Sequence, residues 1–490
     1  MHRTLPFVYN TPFLFVMLFS SVFILITALP HSAVYAGTYY IAPYGSDRTA
    51  DGSETKPWQT LTKAIKSVPD DGSVIIAKDG LYTGFMMPHR AFSKPCRVKA
   101  EHPHQARFTG KNGGNRVMYL DALSRVIFDG LHIYGNGSDN GEYLIQIATE
   151  NTHHLVFQNC IIHDSYKNDL IKLNHFANKI RFTNCVFFNP NNHGGDEHFD
   201  INTARDVIIE DSIFFNDFAG SGRAEDNQSH SFIVVKNSEN EPNVSQYITI
   251  RRNIFLNWSG LPDQAYILLG EDNKDFFEAA DVLIENNLFL HNQTVRTVGT
   301  FLFKGGLRRV TVRANTITGE PFRLKSGLFG GYAAVFWKLS RNPPQEDILF
   351  AGNIFCNNAG SSLRFSAGKQ EYFVDGGFKA VSNVYWNGKN PVKAERDDIF
   401  VPKNDPRAIL TSPKLPDVPA KLPLPRIENA ASAENFSIRK AFESLVKKYA
   451  VPAPGSSAIG SADPKNMPED DILGKKRSKN PDIGCYETEK

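Results

Sequence analysis

Apolar residues recur through the middle of the chain in one eight-residue phrase: apolar, any, apolar, any, any, a small residue or Asn, any, apolar. Eight full copies stand at Val126–Ile133, Leu155–Ile162, Ile180–Phe187, Val207–Phe214, Ile248–Phe255, Val282–Phe289, Val310–Ile317 and Ile348–Phe355, and a weaker ninth, Lys379–Tyr385, lacks the first apolar position. Successive copies are 29, 25, 27, 41, 34, 28, 38 and 30 residues apart, a short period lengthened by insertions. Helical spacing does not produce this. Alternation at i, i+2 followed by a two-residue skip describes a strand, a bend and the start of another strand. Such a unit cannot bury its apolar edge alone, so the copies are expected to stack into one cylindrical core with the insertions leaving as loops. The sixth position runs Leu131, Cys160, Cys185, Ser212, Asn253, Asn287, Asn315, Asn353, Asn383. Asn tolerates a left-handed backbone at a bend, and its amide can bond to the same Asn one coil away, about 4.8 Å. A structural Asn ladder is expected.

The series resembles the right-handed parallel β-helix proteins, which implies an all-β, single-stranded right-handed parallel β-helix (solenoid) with short capping helices. The segments Tyr39 to Asp47, Asp51-Gly52-Ser53 and Pro57 to Leu61 resemble the opening cassette of secreted β-helix polysaccharide lyases, and Leu61 to Ser67 would be the helix capping the open end. Gly72 to Ile76 and Asp79 to Tyr82 resemble the first coil of those proteins, and Pro454 to Gly460 with Asp482 to Glu487 their closing segment. The expected organisation is a solenoid over residues 37–400, then a tail over 401–490. In that tail the Pro-rich stretch Asp405 to Pro425 reads as a strap, and Phe436 to Tyr449 reads as an amphipathic helix over the C-terminal end.

Composition narrows the function classes. Lys and Arg number 54 against 52 Asp and Glu, a formal charge of +2, so no bulk attraction to nucleic acid or to a membrane surface is expected. The apolar run Phe13 to Leu29, with Arg3 before it and Val34-Tyr35-Ala36 after it, reads as an export signal over residues 1–36. A secreted monomer (extracellular, periplasmic or at the cell surface) is the expectation. Five cysteines, Cys96, Cys160, Cys185, Cys356 and Cys485, are too few for a disulfide scaffold. Cys160 and Cys185 fall at equivalent bends and read as buried thiols, with a disulfide between them as the alternative.

Two neighbouring coils carry unusual chemistry: Asp169-Leu170-Ile171-Lys172-Leu173-Asn174 and Glu197-His198-Phe199-Asp200-Ile201-Asn202, with Asp196 in the turn before. If Ile171, Leu173, Phe199 and Ile201 point inward, Lys172 stands beside Asp200 and Asn174 beside Asn202 on the outer face. Asp169, Asp196, Glu197 and Asp200 are candidate ligands for Ca²⁺, which accepts several oxygens in irregular geometry. Lys172 is the candidate base of a β-elimination on a uronate, with Asp200 beside it and His193 and His198 near enough to act as acid or base. Carboxylates alone would keep Lys172 protonated, so a Lys base requires the cation. Aligning Ile233/Val235, Phe301/Phe303 and Val335/Trp337 as inward pairs puts Lys236, Lys304 and Lys338 in line with Asn174 and Asn202. That row would attract an acidic polysaccharide. Arg223, Trp258 and Tyr266 in the long insertions are candidate sugar contacts.

This layout is similar to the calcium-dependent family nine polysaccharide lyases, which implies Lys172 in the role of base and Asp196, Glu197 and Asp200 in that of the acidic cluster; the spacing departs from that family. The GHG and RIK tripeptides of polygalacturonase-like hydrolases and the RxPxxR arrangement of the main pectate lyase family are absent. Three other readings stay open: a cross-strand Lys172–Asp200 ion pair with no catalytic role, a noncatalytic glycan-binding or adhesion β-helix, and a carboxylate-pair glycoside hydrolase.

Overall fold

The structure is a computed structural model that describes residues 37–489 apart from 111–115, 138–142, 193, 225–228, 240–244, 259, 262–263, 293–298, 320–331, 359–363, 389–399, 401 and 428–434. The expected export signal over residues 1–36 and His193 lie outside the described residues. Each coil contributes up to three short strands, and these stack into three parallel sheets. The first has 12 strands, from Thr38–Ile41 to Phe378–Val381; the second has 11, from Gly80–Thr83 to Val384–Trp386; the third has nine, from Met118–Asp121 to Arg364–Ala367. The chain is a right-handed parallel β-helix.

The eight-residue phrase maps onto the first two sheets. Its first three positions lie in the first sheet, where Leu155 pairs with Val126 and with Ile180. Its last two lie in the second, where Ile162 pairs with Ile133 and Phe187. Inward side chains form columns of like residues: Phe128, Phe157 and Phe182 stack at 4.7 and 4.9 Å, and Phe187, Phe214, Phe255 and Phe289 at 4.9, 4.8 and 4.8 Å. These separations match the strand spacing and offset ring stacking at once. The ninth copy is complete, because Phe378 occupies its first position opposite Ile348.

The Asn ladder forms as expected, with a change of detail. The left-handed residue is the one before the ladder position: Asn159, Asn184, Asp211, Arg252, Asn286, Ala314 and Ser382 all have φ between 50 and 57°. The ladder Asn then turns inward. Asn287 Nδ2 donates to Asn315 Oδ1 at 3.0 Å and to the Ile250 carbonyl at 2.8 Å, and Asn315 and Asn353 repeat the pattern. Asp405 closes the column: it accepts from the Ser382 and Asn383 amides, from Asn383 Nδ2 and from the Tyr385 hydroxyl at 2.8–3.0 Å. All five cysteines are buried free thiols.

Helix Leu61–Ser67, N-capped by Thr60, buries Leu61, Ala64 and Ile65 against the core. The second helix, Ile438–Tyr449, lies elsewhere than expected. Its Ile438, Phe442, Leu445, Val446 and Tyr449 pack with Leu422 of the strap on Ile161, Val186, Phe188, Ile213, Phe215, Ile254 and Leu288, the outward residues of the second sheet. An apolar outer face needs cover from water, and its length along the axis draws the helix to the side of the cylinder rather than its end. Among the described residues no helix is long and apolar enough to cross a membrane.

Candidate active site

The third sheet positions the chemistry. Strand Ile171–Asn174 pairs in parallel with Phe199–Asn202, with Ile171 opposite Phe199, Lys172 opposite Asp200 and Leu173 opposite Ile201. Because side chains alternate, the inward pairs join the core and Lys172 and Asp200 point away from it. The next strand, Ile233–Lys236, sets Lys236 opposite Asn202.

Lys172 Nζ is in direct contact with Asp200 Oδ2, and Lys236 Nζ lies 3.6 Å from the same oxygen. Lys236 also pairs with Glu271 at 3.1 Å, and Glu271 reaches Lys304 at 3.8 Å. The result is an alternating ladder of charge along the outer face: Lys172, Asp200, Lys236, Glu271, Lys304. Accessibility grows along it, since the side chains of Lys172, Lys236 and Lys304 are 8, 17 and 23% exposed. The cluster is on the outer face, as expected, but its open side is the Lys236–Lys304 end. The Lys172 ammonium also lies 5.3 Å from the centre of the Tyr143 ring.

Beneath Lys172, oxygens of Asp169, Glu197 and Asp200 lie within 4.8 Å of one another, all three residues buried. Asp169 Oδ1 accepts the Glu197 backbone amide at 2.9 Å, and Glu197 Oε1 is 3.1 Å from His230 Nδ1. Asp196 accepts from Asn191 Nδ2 at 2.6 Å. Burial, then the charges of Glu197 and Asp200, push the Asp169 carboxyl well above the carboxylate range. Burial and Asp200 raise Glu197 to about 8, and burial raises Asp196. Burial works against the Lys172 ammonium, but Asp200 and Asp169 outweigh it and hold it protonated above the ordinary lysine range. Asp200 Oδ1 is buried with no hydrogen-bond partner among the described residues. This pocket is short of positive charge.

The donor set fits a hard divalent cation. Two oxygens bound to one Ca²⁺ at about 2.3–2.6 Å can be at most about 5 Å apart. The three carboxyl groups meet that limit, and the orphaned Asp200 oxygen is a ready ligand. Asp169, Glu197 and Asp200 would hold the ion; Asp196 is not among the converging groups and accepts from Asn191 instead.

Several sequence-derived candidates take other roles. His198 turns into the core, its ring 4.7 Å from Phe232 and its Nε2 on the Phe215 carbonyl, and burial lowers it to about 3. It does not face the acids. Arg223 is bound to Asp164, Asn192 and the Pro190 carbonyl between the Tyr166 and Phe218 rings, which ties it to an insertion rather than the groove. Trp258 and Tyr266 are buried in the core, where no sugar reaches them. Lys338 leaves the lysine row: Phe303 pairs with Phe336, so Trp337 follows Lys304, and the inward pair is Ala334/Phe336. Both faces of that strand are apolar, so hydrophobicity could not choose the pleat. Asn202 is occupied by Ser238, whose backbone amide donates to its Oδ1 at 2.8 Å, and Asn174 accepts from Gln146 at 3.3 Å.

Glu271, Asp272, His230 and Tyr143 escape the sequence reading. The first two follow strand Ala265–Leu269, which lies between the Lys236 and Lys304 coils and is apolar at every position. It has no alternation to mark it.

The three stacked parallel sheets define a right-handed parallel β-helix that carries a charged cluster on the outer face of its third sheet. No protein-family model and no curated protein matches the sequence. Among solved structures, the chain is similar to the complex of XylC with xylose, at 11% identity and a TM-score of 0.47 over 92% of this chain and 98% of that one. It is similar to pectate lyase Pel9A at 16% identity and 0.43 over 93 and 97%, and to a rhamnogalacturonan lyase at 14% and 0.46 over 71 and 87%. At these identities the likeness is one of fold.

Proposed function

We infer that the protein is an exported polysaccharide lyase that cleaves a uronate-containing chain by calcium-assisted β-elimination on the outer face of the third sheet. One observation carries this reading: a buried acidic pocket with an orphaned Asp200 oxygen stands against Lys172 at the head of a lysine row. A merely structural ion pair needs neither the extra acids nor the orphan, since buried polar groups that serve stability are satisfied.

Lys236 and Lys304, the more exposed lysines, receive the carboxylates of the polyanion. Lys172 removes the proton beside the uronate carboxyl, the freed electron pair forms the new carbon–carbon double bond, and the glycosidic oxygen leaves. Glu197, as a ligand of the ion, is deprotonated when calcium is bound, so the departing oxygen takes its proton from solvent on the open side of the groove. Lys172 at rest is held protonated by Asp200, and its role as base requires that hold to be loosened. When bound, calcium supplies neutralisation of the substrate carboxylate. Incubation with pectate, alginate and glycosaminoglycans should yield products with the ultraviolet absorbance of an unsaturated uronate, lost in chelator and in Lys172→Ala. Glycan retardation without new chain ends would replace this reading with a noncatalytic binding module.

A hydrolase reading has its own support. Glu197 is held protonated within 4.8 Å of Asp200, and oxygens so close belong to the geometry of a retaining carboxylate pair, with carboxyl groups about 5–5.5 Å apart. New reducing ends without ultraviolet absorbance would select it.

A further inference from the structure

The position of the Lys172 ammonium has a consequence for the cation. It is in contact with Asp200 Oδ2, and Asp200 is one of the three carboxylates whose oxygens converge within 4.8 Å. The pocket therefore already contains a cation, tethered on a four-carbon stem. A divalent ion drawing on Asp200 and the ammonium do not sit together on that carboxylate: the ammonium holds Oδ2 and leaves Oδ1 open, but like charges so close in a poorly solvated pocket repel strongly. We propose that Lys172 and a hard divalent cation compete for Asp200, so that binding the ion displaces the ammonium from the acidic pocket onto the outer face beside Tyr143.

Three features support displacement over simple exclusion. Asp200 Oδ1 is still without a partner, so the incoming ion has a first ligand before the ammonium departs. The Tyr143 ring already lies 5.3 Å from Nζ, so the ammonium keeps a cation–π neighbour as it leaves Asp200. Lys236, the other ammonium near Asp200, has its own anchor in Glu271 at 3.1 Å and need not stay. The flexible lysine stem allows the exchange without moving the strand. This deepens the lyase reading, because it names the step that frees the base, and it rests on that reading for its purpose. The exchange itself needs no substrate, so its test is separate from any assay of cleavage.

Two measurements on the full-length protein test it, with calcium chloride alone as the ligand. In isothermal titration calorimetry Lys172→Met should bind Ca²⁺ at least about tenfold more tightly than the wild type, while Asp200→Asn should lose the site. On the wild type, Lys172 should become more reactive toward acetic anhydride as Ca²⁺ is added, read by peptide mass spectrometry with Lys78 as the internal reference. Calcium affinity in Lys172→Met that is equal to or weaker than that of the wild type, or no binding in either protein, overturns the proposal. So does Lys172 labelling that calcium leaves unchanged or lowers, a result that stands even if Lys172→Met fails to fold. Labelling that rises with calcium in a protein that releases no unsaturated product would sink the lyase reading and leave the exchange intact.

Discussion

Two buried aspartates divide the molecule's polar interior into opposite kinds. Asp405 ends the Asn ladder with five donors at 2.8–3.0 Å: three backbone amides, one side-chain amide and one phenol. Asp200 has an ammonium on one oxygen and nothing on the other, with Asp169 and Glu197 beside it. Both residues are 4% exposed, so burial alone does not separate them. Saturation does. The ladder has the form expected of polar groups retained for stability, each donor matched along the axis. The acidic pocket keeps unsatisfied charge in a low-dielectric place, which weakens the fold, and groups of this kind cluster at functional sites.

The sharpest way to break this contrast is to remove each aspartate in turn. Asp405→Ala strands these five donors at the end of the column and should cost about 4 kcal/mol, read by urea denaturation. Asp200→Asn, by comparison, should leave stability within about 1 kcal/mol of the wild type; equal losses would mean that both acids are structural. Next in size, Asn353→Ala removes the donors to Asn383 and to the Val312 carbonyl and the acceptor for Asn315, and should cost about 3 kcal/mol.

The acidic pocket should show itself in pH dependence rather than in a large loss. Glu197 in the folded protein is raised to about 8, above its unfolded value, so between about pH 4.5 and 8 the native state binds more protons than the unfolded one. The sign follows: stability contributed by the protonated form is present in acid and falls as pH rises through that window. In chelator, the wild type should lose stability from pH 5 to 8 and Glu197→Gln should flatten the slope. Asp164 supplies the opposite control. Burial opposes its charge, but His163, Asn189 and Arg223 hold it down at about 2, so its contribution is complete above about pH 4 and disappears only as pH falls toward 2.

How much of this was legible in sequence depends on what sets each position. Stacking was legible because the phrase repeats, and the Lys172–Asp200 pairing followed from two strands one coil apart. The seventh position of the phrase, read as unconstrained, is Ile161, Val186, Ile213, Ile254, Leu288, Ile354 and Val384 in seven of nine copies. That second apolar column announces a covered outer face, and it seats helix Ile438–Tyr449. Left-handed backbone at Arg252 and Ala314 was not legible, since closure of the coil imposes it on whatever residue stands there. The same holds for His230 and Tyr143, which enter the site from turns. Register places strand residues, and no comparable rule places turns.

The smallest expected effect tests the contrast from the side of the pocket. Asp169→Asn keeps an oxygen for the Glu197 amide, now 2.9 Å from Asp169 Oδ1, and removes one of the crowded acids. A neutral amide in place of a carboxyl that burial, Glu197 and Asp200 all push toward protonation relieves repulsion without opening a cavity. The variant should therefore be more stable than the wild type by about 1 kcal/mol at pH 8 and nearly equal to it at pH 5, where the wild-type acids share protons. On the lyase function proposed above, it should also bind Ca²⁺ less tightly and cleave more slowly. A loss of stability at both pH values would show that the Asp169 carboxylate holds the turn in place, and the pocket would then belong with the ladder as architecture.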